Sequence, residues 1–265
     1  MKSQLVFRWS DCDLVSSVSE WNVGFESDGL VFPDGNWDLV FYRHGQEVGT
    51  FITGQSTKAT KLPFVSGDQV LAISFKAGTY LPNLPASYLV NNVARLKSRG
   101  TRFELGTVAL EIPRFDNAED LVRRLIGQGL LRSDSLVSGV LAGHALSVST
   151  RSFQRHFTRA TGLSPHHYQL ILRAKKTVGL LQEGHAASRV AAMADYADQA
   201  HMCRSLKAIT GLTPGEIQAG DLRMSFLFNT RIPDSSIVHP KQRGREGTFL
   251  LKGEDDGVFD HGSQR

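Results

Sequence analysis

Cysteine is nearly absent from this chain of 265 residues: there are two, Cys12 and Cys203, far apart and without metal-ligand spacing. That excludes a disulfide scaffold, leaves too few thiols for a cysteine-rich zinc site, and suits a reducing cytosol. No run of about 18 apolar residues exists, so a membrane-spanning segment is not expected. The N-terminus meets Asp11 and Asp13 before an apolar signal-peptide core develops. Up to residue 131 the only histidine is His44, so the first half lacks the histidine–carboxylate cluster of a metal enzyme; His44 reads as a surface or hydrogen-bonding residue. Phosphate-cradling glycine loops and nucleophile elbows are missing too, and no cofactor is expected.

Charge is present in a telling distribution. Residues 1–131 hold 13 Lys/Arg against 14 Asp/Glu, residues 132–218 hold 10 against 5, and residues 219–265 hold 7 against 7. The whole net charge of +4 therefore traces to the middle segment, which also carries 6 of the 9 histidines. A basic segment beside a neutral one suits a polyanionic partner, although a solvated helical surface would look similar.

Residues 1–112 read as short strands and turns. Phe32-Pro33-Asp34-Gly35-Asn36 is turn chemistry, and Trp37-Asp38-Leu39-Val40-Phe41-Tyr42 after it is rich in aromatic and β-branched side chains. Glycines 45, 49, 54, 67 and 78 punctuate further runs, which implies a β-sandwich or barrel. Trp9, Trp21 and Trp37 are expected in its core, with pocket lining as the alternative. Asp34 and Asp38 read as turn and strand-edge residues, with a carboxylate pair as the alternative. A helix is expected over residues 117–131, with Leu121, Leu125 and Ile126 on one face.

From Asp134 the texture turns helical. Helices are expected over 135–142, 150–161, 165–183, 187–194, 199–210 and 214–219. The long one carries a stripe of Leu170, Ala174, Val178 and Leu181. After Thr230 the chain becomes polar and glycine-rich, the composition of a disordered tail.

An internal repeat organises this half. Shifted by 49 residues, Thr161-Gly162-Leu163-Ser164-Pro165 falls on Thr210-Gly211-Leu212-Thr213-Pro214, Arg155 on Arg204, Phe157 on Leu206, and Ser149 on Asp198. The glycine can end a helix in the left-handed region, Ser or Thr caps the next, and proline sits at its first position, where a missing N–H costs nothing. Helix, short turn, helix is the helix-turn-helix plan. Val140, Leu141, Leu146 and Val148 are the expected apolar anchors of the first unit, and Val190, Met193 and Tyr196 those of the second. In the second helix of the first unit, Phe153 and Phe157 face the core, leaving Arg151, Gln154 and Arg155 outward. In the second unit Met202 and Leu206 take the core positions, leaving Gln199, Ala200, His201 and Arg204 outward. Arg reads guanine and Gln reads adenine through paired hydrogen bonds in the major groove.

Residues 134–218 resemble the DNA-binding domain of AraC/XylS-type regulators. The stretches that carry the resemblance are 149–157, Ala160-Thr161-Gly162-Leu163-Ser164-Pro165, 195–202 and Gly211-Leu212-Thr213-Pro214-Gly215-Glu216. The resemblance implies that two recognition helices enter successive major grooves of double-stranded DNA, with the outward residues named above facing the bases. Departures stand at Asp195 and Ser147, where the family usually has glycine, at Leu206 for the usual Phe, and at Ala200 for a longer polar residue. More weakly, residues 32–40, 73–78 and 224–230 resemble the cupin-like sensor domains that precede such modules, the last as a closing strand.

The expected α+β architecture is thus a cupin-like barrel or sandwich over 1–115 and a connecting helix over 116–133. A double helix-turn-helix over 134–220 and a closing strand with a tail over 221–265 complete it. The function implied is a cytoplasmic, sequence-specific transcription regulator, not an enzyme. Its partners would be DNA, a small effector in the first domain, a second copy of itself, and RNA polymerase if it activates. The alternative is a cupin-type enzyme or binding protein with an appended helical domain.

Overall fold

The computed structural model describes residues 3–24, 26–220 and 246–251. Antiparallel sheets come first and helices follow, an α+β arrangement. The main sheet contains β1 (Ser3–Trp9), β2 (Val15–Asn22), β4 (Trp37–His44), β5 (Glu47–Thr53), β7 (Gln69–Phe75), β9 (Val93–Leu96) and β14 (Glu246–Leu251). Their spatial order is β14-β1-β2-β7-β4-β5-β9, so this sheet is open, with β14 and β9 at its ends. Strands β3 (Ser27–Val31) and β6 (Thr60–Phe64) form a separate pair, as do β8 (Thr79–Tyr80) and β13 (Arg132–Ser133). Strands β10 (Ser98–Arg99), β11 (Arg102–Leu105) and β12 (Val108–Glu111) make a three-stranded sheet.

Alternation decides what each face buries. Val18, Leu39, Phe41, Leu71 and Ile73 project from one face of the main sheet. They join Phe103, Leu105 and Leu110 of the small sheet and Leu121, Val122 and Leu125 of α2 (Ala118–Gly127) in one core. Phe41 meets Phe103 edge-on at 5.3 Å between ring centroids. The sheets therefore stack as a sandwich. Arg8 fastens α2 to β1 by hydrogen bonds of 2.5 and 2.7 Å to Glu119, and Ser10 adds a third at 2.7 Å. Burial opposes the charge on Glu119, but these bonds outweigh it and hold its carboxyl at about 2.

Several expectations change here. Trp21 and Trp37 are buried, the latter stacked on Phe75 and donating its indole N–H to the Thr79 carbonyl at 2.7 Å. Trp9, the last residue of β1, is 57% exposed and stands edge-on to Phe7. The helix expected over 117–131 stops at Gly127, because Gly129 takes a left-handed φ of 68° and turns the chain. Ile126 is exposed, and Leu131 fills the core position that Ile126 was expected to take. Residues 246–251, expected within the disordered tail, pair with β1: the β-prone run Thr248-Phe249-Leu250-Leu251 extends an otherwise open edge. The closing strand expected at 224–230 lies outside the described residues.

The helical part contains α3 (Ser135–Leu141), α4 (Thr150–Thr161), α5 (Pro165–Gln182), α6 (Ala187–Met193), α7 (Gln199–Thr210) and α8 (Pro214–Gln218). The short α1 (Ala86–Leu89) belongs to the sheet half. Along α5, Ala174, Val178 and Leu181 are buried, and Leu170 is half-buried. Among the described residues no helix is long and apolar enough to cross a membrane, and no three His, Cys, Asp or Glu side chains converge as a metal site.

Candidate nucleic-acid interface

Helices α4 and α7 are built alike, down to their hydrogen bonds. Each is 12 residues long. Ser149 caps α4 by accepting the Ser152 N–H at 3.3 Å, and Asp198 caps α7 by accepting the His201 N–H at 2.6 Å. At the other end a threonine serves both chain directions. Thr161 Oγ1 donates to the Phe157 carbonyl at 2.8 Å and accepts the Leu163 N–H at 3.1 Å. Thr210 Oγ1 does the same with Leu206 and Leu212, at 2.8 and 3.1 Å. Gly162 and Gly211 then close the helices with φ of 78° and 74°. Ser164 and Thr213 cap the helices that follow, and Glu216 completes a capping box with Thr213.

The buried faces follow from the 3.6-residue period. Phe157 packs with Ala160, Tyr168, Val137 and Ala77, and half-buried Phe153 leans on it. In the second unit Met202 and Leu206 sit among Val178, Leu181, Val190, Ala191, Tyr196, Leu212 and Ile217. Of the expected anchors Val190 and Tyr196 are buried, Val140 and Leu141 are half-buried, and three are exposed. Leu146 and Val148 are exposed, and so is Met193. In the first unit α3 ends at Leu141 and residues 142–149 form a connection of eight residues, against five for residues 194–198 in the second. The longer path carries Leu146 and Val148 over the surface.

The turn departures resolve differently. Asp195 holds a left-handed φ of 58°, a conformation that costs an L-residue about 1–2 kcal/mol. Ser147 is not left-handed; the first unit places its left-handed residue earlier, at Gly143 with φ of 90°.

Arg151, Gln154 and Arg155 are all exposed on α4, as are Gln199, Ala200, His201 and Arg204 on α7. Arg155 and Arg204 lie on the sides of their helices away from Phe157 and Leu206, whereas Gln199, in the first turn of α7, shares the angular sector of Met202 and Leu206 and is exposed because it stands at the helix end. Among the described residues, Arg151, Arg155 and Arg204 have no ion-pair partner, so their guanidinium groups are available to an anion or a base edge. His201 is less free: its ring stands edge-on to Tyr196 at 5.4 Å, and Arg173 of α5 lies over the same tyrosine at 5.4 Å.

One cluster escaped the sequence reading. Asp134 caps α3 through the Val137 N–H, accepts from His156 at 2.8 Å and from Arg159 at 2.9 Å, and gives its own N–H to the Gly78 carbonyl. Burial opposes its charge, but the His156 and Arg159 hydrogen bonds outweigh it and hold the carboxyl below its usual range. Asp134 thereby orients α4 against α3 and takes Arg159 out of the set of free cations. Separations of 22 and 25 residues left no local pattern to find.

Residues 143–220 match the family model of a helix-turn-helix domain. No curated protein gives a significant sequence match. Among solved structures the chain is similar to wild-type ToxT from Vibrio cholerae strain SCE256 bound to an unsaturated fatty acid. That likeness has 10% identity and a TM-score of 0.34, and covers 82% of this chain and 95% of that one. A 1.65 Å structure of Vibrio cholerae ToxT gives 8% identity and a TM-score of 0.32, covering 85% and 100%. Likeness at that level says nothing about what this chain binds. The paired units, their caps and the matching family model identify residues 143–220 as a helix-turn-helix domain.

Proposed function

We propose that this chain is a DNA-binding transcription regulator of the AraC type that lays α4 and α7 into successive major grooves and reads one site in two parts. The observation that carries the reading is the matched presentation of two helices, with caps, end threonines and buried faces alike, and Arg155 and Arg204 at equivalent registers without partners. In this reading Arg151, Gln154 and Arg155 contact bases of one part, and Gln199, Ala200, His201 and Arg204 those of the other. Helix α4 offers more long polar side chains than α7, where Ala200 is short, so it reads more of the site.

Base-by-base profiling on DNA selected from a random pool tests this. Arg155→Ala should relax preference in one part of the site and Arg204→Ala in the other, about 10 base pairs away. Each should cost on the order of 1–3 kcal/mol where the contact is bidentate to guanine. Arg155→Ala should disturb base preference more. Even weakening on all sequences would make both residues phosphate clamps, and no effect in folded protein would refute the assigned faces.

In the same proposal residues 1–115 form the sensor part. A crevice of about 250 Å³ is lined by apolar side chains such as Phe41, Leu71 and Ile112 and by the charged Glu20, Arg43 and Arg114. It is the place we assign to a small effector, and thermal-shift screening of charged small molecules against Arg43→Ala tests it. The regulator would act in the cytoplasm, with a second copy and RNA polymerase as further partners.

A further inference from the structure

Each recognition helix ends on its own seat in the sheet half. At the end of α4, Gly162 lies so close to α1 that a Cβ there would be 2.7 Å from the Ala86 carbonyl oxygen and 2.6 Å from Val90. Ala77 joins the Phe157 cluster beside it. The second seat is separate. Phe32, in the turn after β3, is 3% exposed and belongs to the core of the second unit, with Leu30 and Ala59 packed around it. The Ala59 N–H donates to the carbonyl of Ile209, in the last turn of α7, at 2.8 Å. The turn bearing Phe32 is held independently of that core. Asp34 accepts the Asn36 N–H at 2.9 Å, Gln55 donates to the Gly35 carbonyl at 2.8 Å, and Gly35 abuts the Tyr168 ring.

From these contacts we infer that Phe32 is a positioning residue for the second recognition helix. The sheet half supplies a side chain that completes the core under α7, and with the Ala59–Ile209 bond it sets where α7 stands relative to α4. Helix α5 links the two units in the chain, and the second seat adds a point that fixes the end of α7 on the sheet half. Two recognition helices bind one site tightly only when their separation is set beforehand, because any spread must be frozen out on binding. The inference rests on the two-groove reading above for its effect on DNA, and on packing alone for its effect on α7.

The test uses the full chain and two readouts. Phe32→Val leaves a partial cavity and Phe32→Leu nearly fills it, while Ile52→Val removes one methylene from the distant sheet core as a control for general destabilisation. In hydrogen exchange of the free protein, Phe32→Val should raise deuterium uptake several-fold in residues 199–210. Residues 150–161 should stay as they are, Phe32→Leu should restore most of the protection, and Ile52→Val should leave α7 unaffected. On a selected site, Phe32→Val should cost about tenfold in discrimination, confined to the part that responds to Arg204→Ala. Unchanged exchange in 199–210, an equal rise in both helices, or an even loss across the site would overturn the inference. If the wild-type chain selects no sequence from a random duplex pool, the two-groove reading fails while the exchange data still decide the role of Phe32.

Discussion

Asp38 stands on β4 with Ser74 donating to it at 2.5 Å and Thr53 at 3.1 Å. Burial first, and the nearby Asp34 second, push its carboxyl up from 3.8 to about 6. Folded protein therefore holds a proton that unfolded protein has already lost, and stability falls as pH rises from about 4 to about 6 and stays lower above. Asp38→Asn should accordingly raise the melting temperature at about pH 8 and much less at about pH 4; a gain of equal size at both would show that Asp38 ionises as usual. No local pattern announced the burial behind this shift, although the alternative reading of Asp34 and Asp38 as a carboxylate pair named its second cause. Asp34 read correctly as a turn residue, since its bonds to Asn36 are local. Asp38 read as a strand residue, but its two hydroxyl donors come from β5 and β7, whose register no local pattern reveals. His44 was legible only as a surface or hydrogen-bonding residue; its partner, Asp68 at 2.8 Å, stands 24 residues on, just before β7.

Helices α4 and α7 were readable to the residue, because caps, end glycines and the 3.6-residue stripe are all local signals. The turns before them were not. The end of α3 fell within one residue of its expected place, but residue order alone did not show that the connection after it would leave Leu146 and Val148 on the surface. The departure at Asp195 was visible as a missing glycine, and its cost is now concrete. The carboxylate of Asp195 makes no hydrogen bond among the described residues that would offset a φ of 58°. Asp195→Gly should relieve backbone strain of about 1–2 kcal/mol. Glycine's freedom in the unfolded chain takes back about 0.4–1 kcal/mol. The net gain should be on the order of 0.5 kcal/mol, seen as a rise of a few degrees or less in thermal unfolding. A drop of similar size would mean that the aspartate holds the turn in another way.

For the molecule as a whole, the charge ledger was legible and the junction was not. The net +5 of residues 132–218 sits on the helical half. About four phosphate contacts would cost the full chain on the order of a hundredfold in affinity between about 50 and 200 mM salt. Titrations with a fluorescent duplex would show it, and a flat dependence would count against groove binding by this half. Phe32-Pro33-Asp34-Gly35-Asn36 announced a turn correctly, yet turn formers say nothing of what the turn rests on. The other buried residues of the core that holds Phe32 begin at Ala174, and contacts so distant in sequence emerge only once both halves are folded.

The twin threonines have a consequence for change over generations. Thr161 and Thr210 fasten the ends of α4 and α7 without help from the outward residues, while Ser149 and Asp198 fasten the beginnings. Nothing among the described residues leans on Arg151, Gln154, Arg155 or Arg204 to stay folded. Mutation can therefore rewrite these letters one at a time, and the preferred site can drift to a new sequence while the scaffold that presents them stays intact.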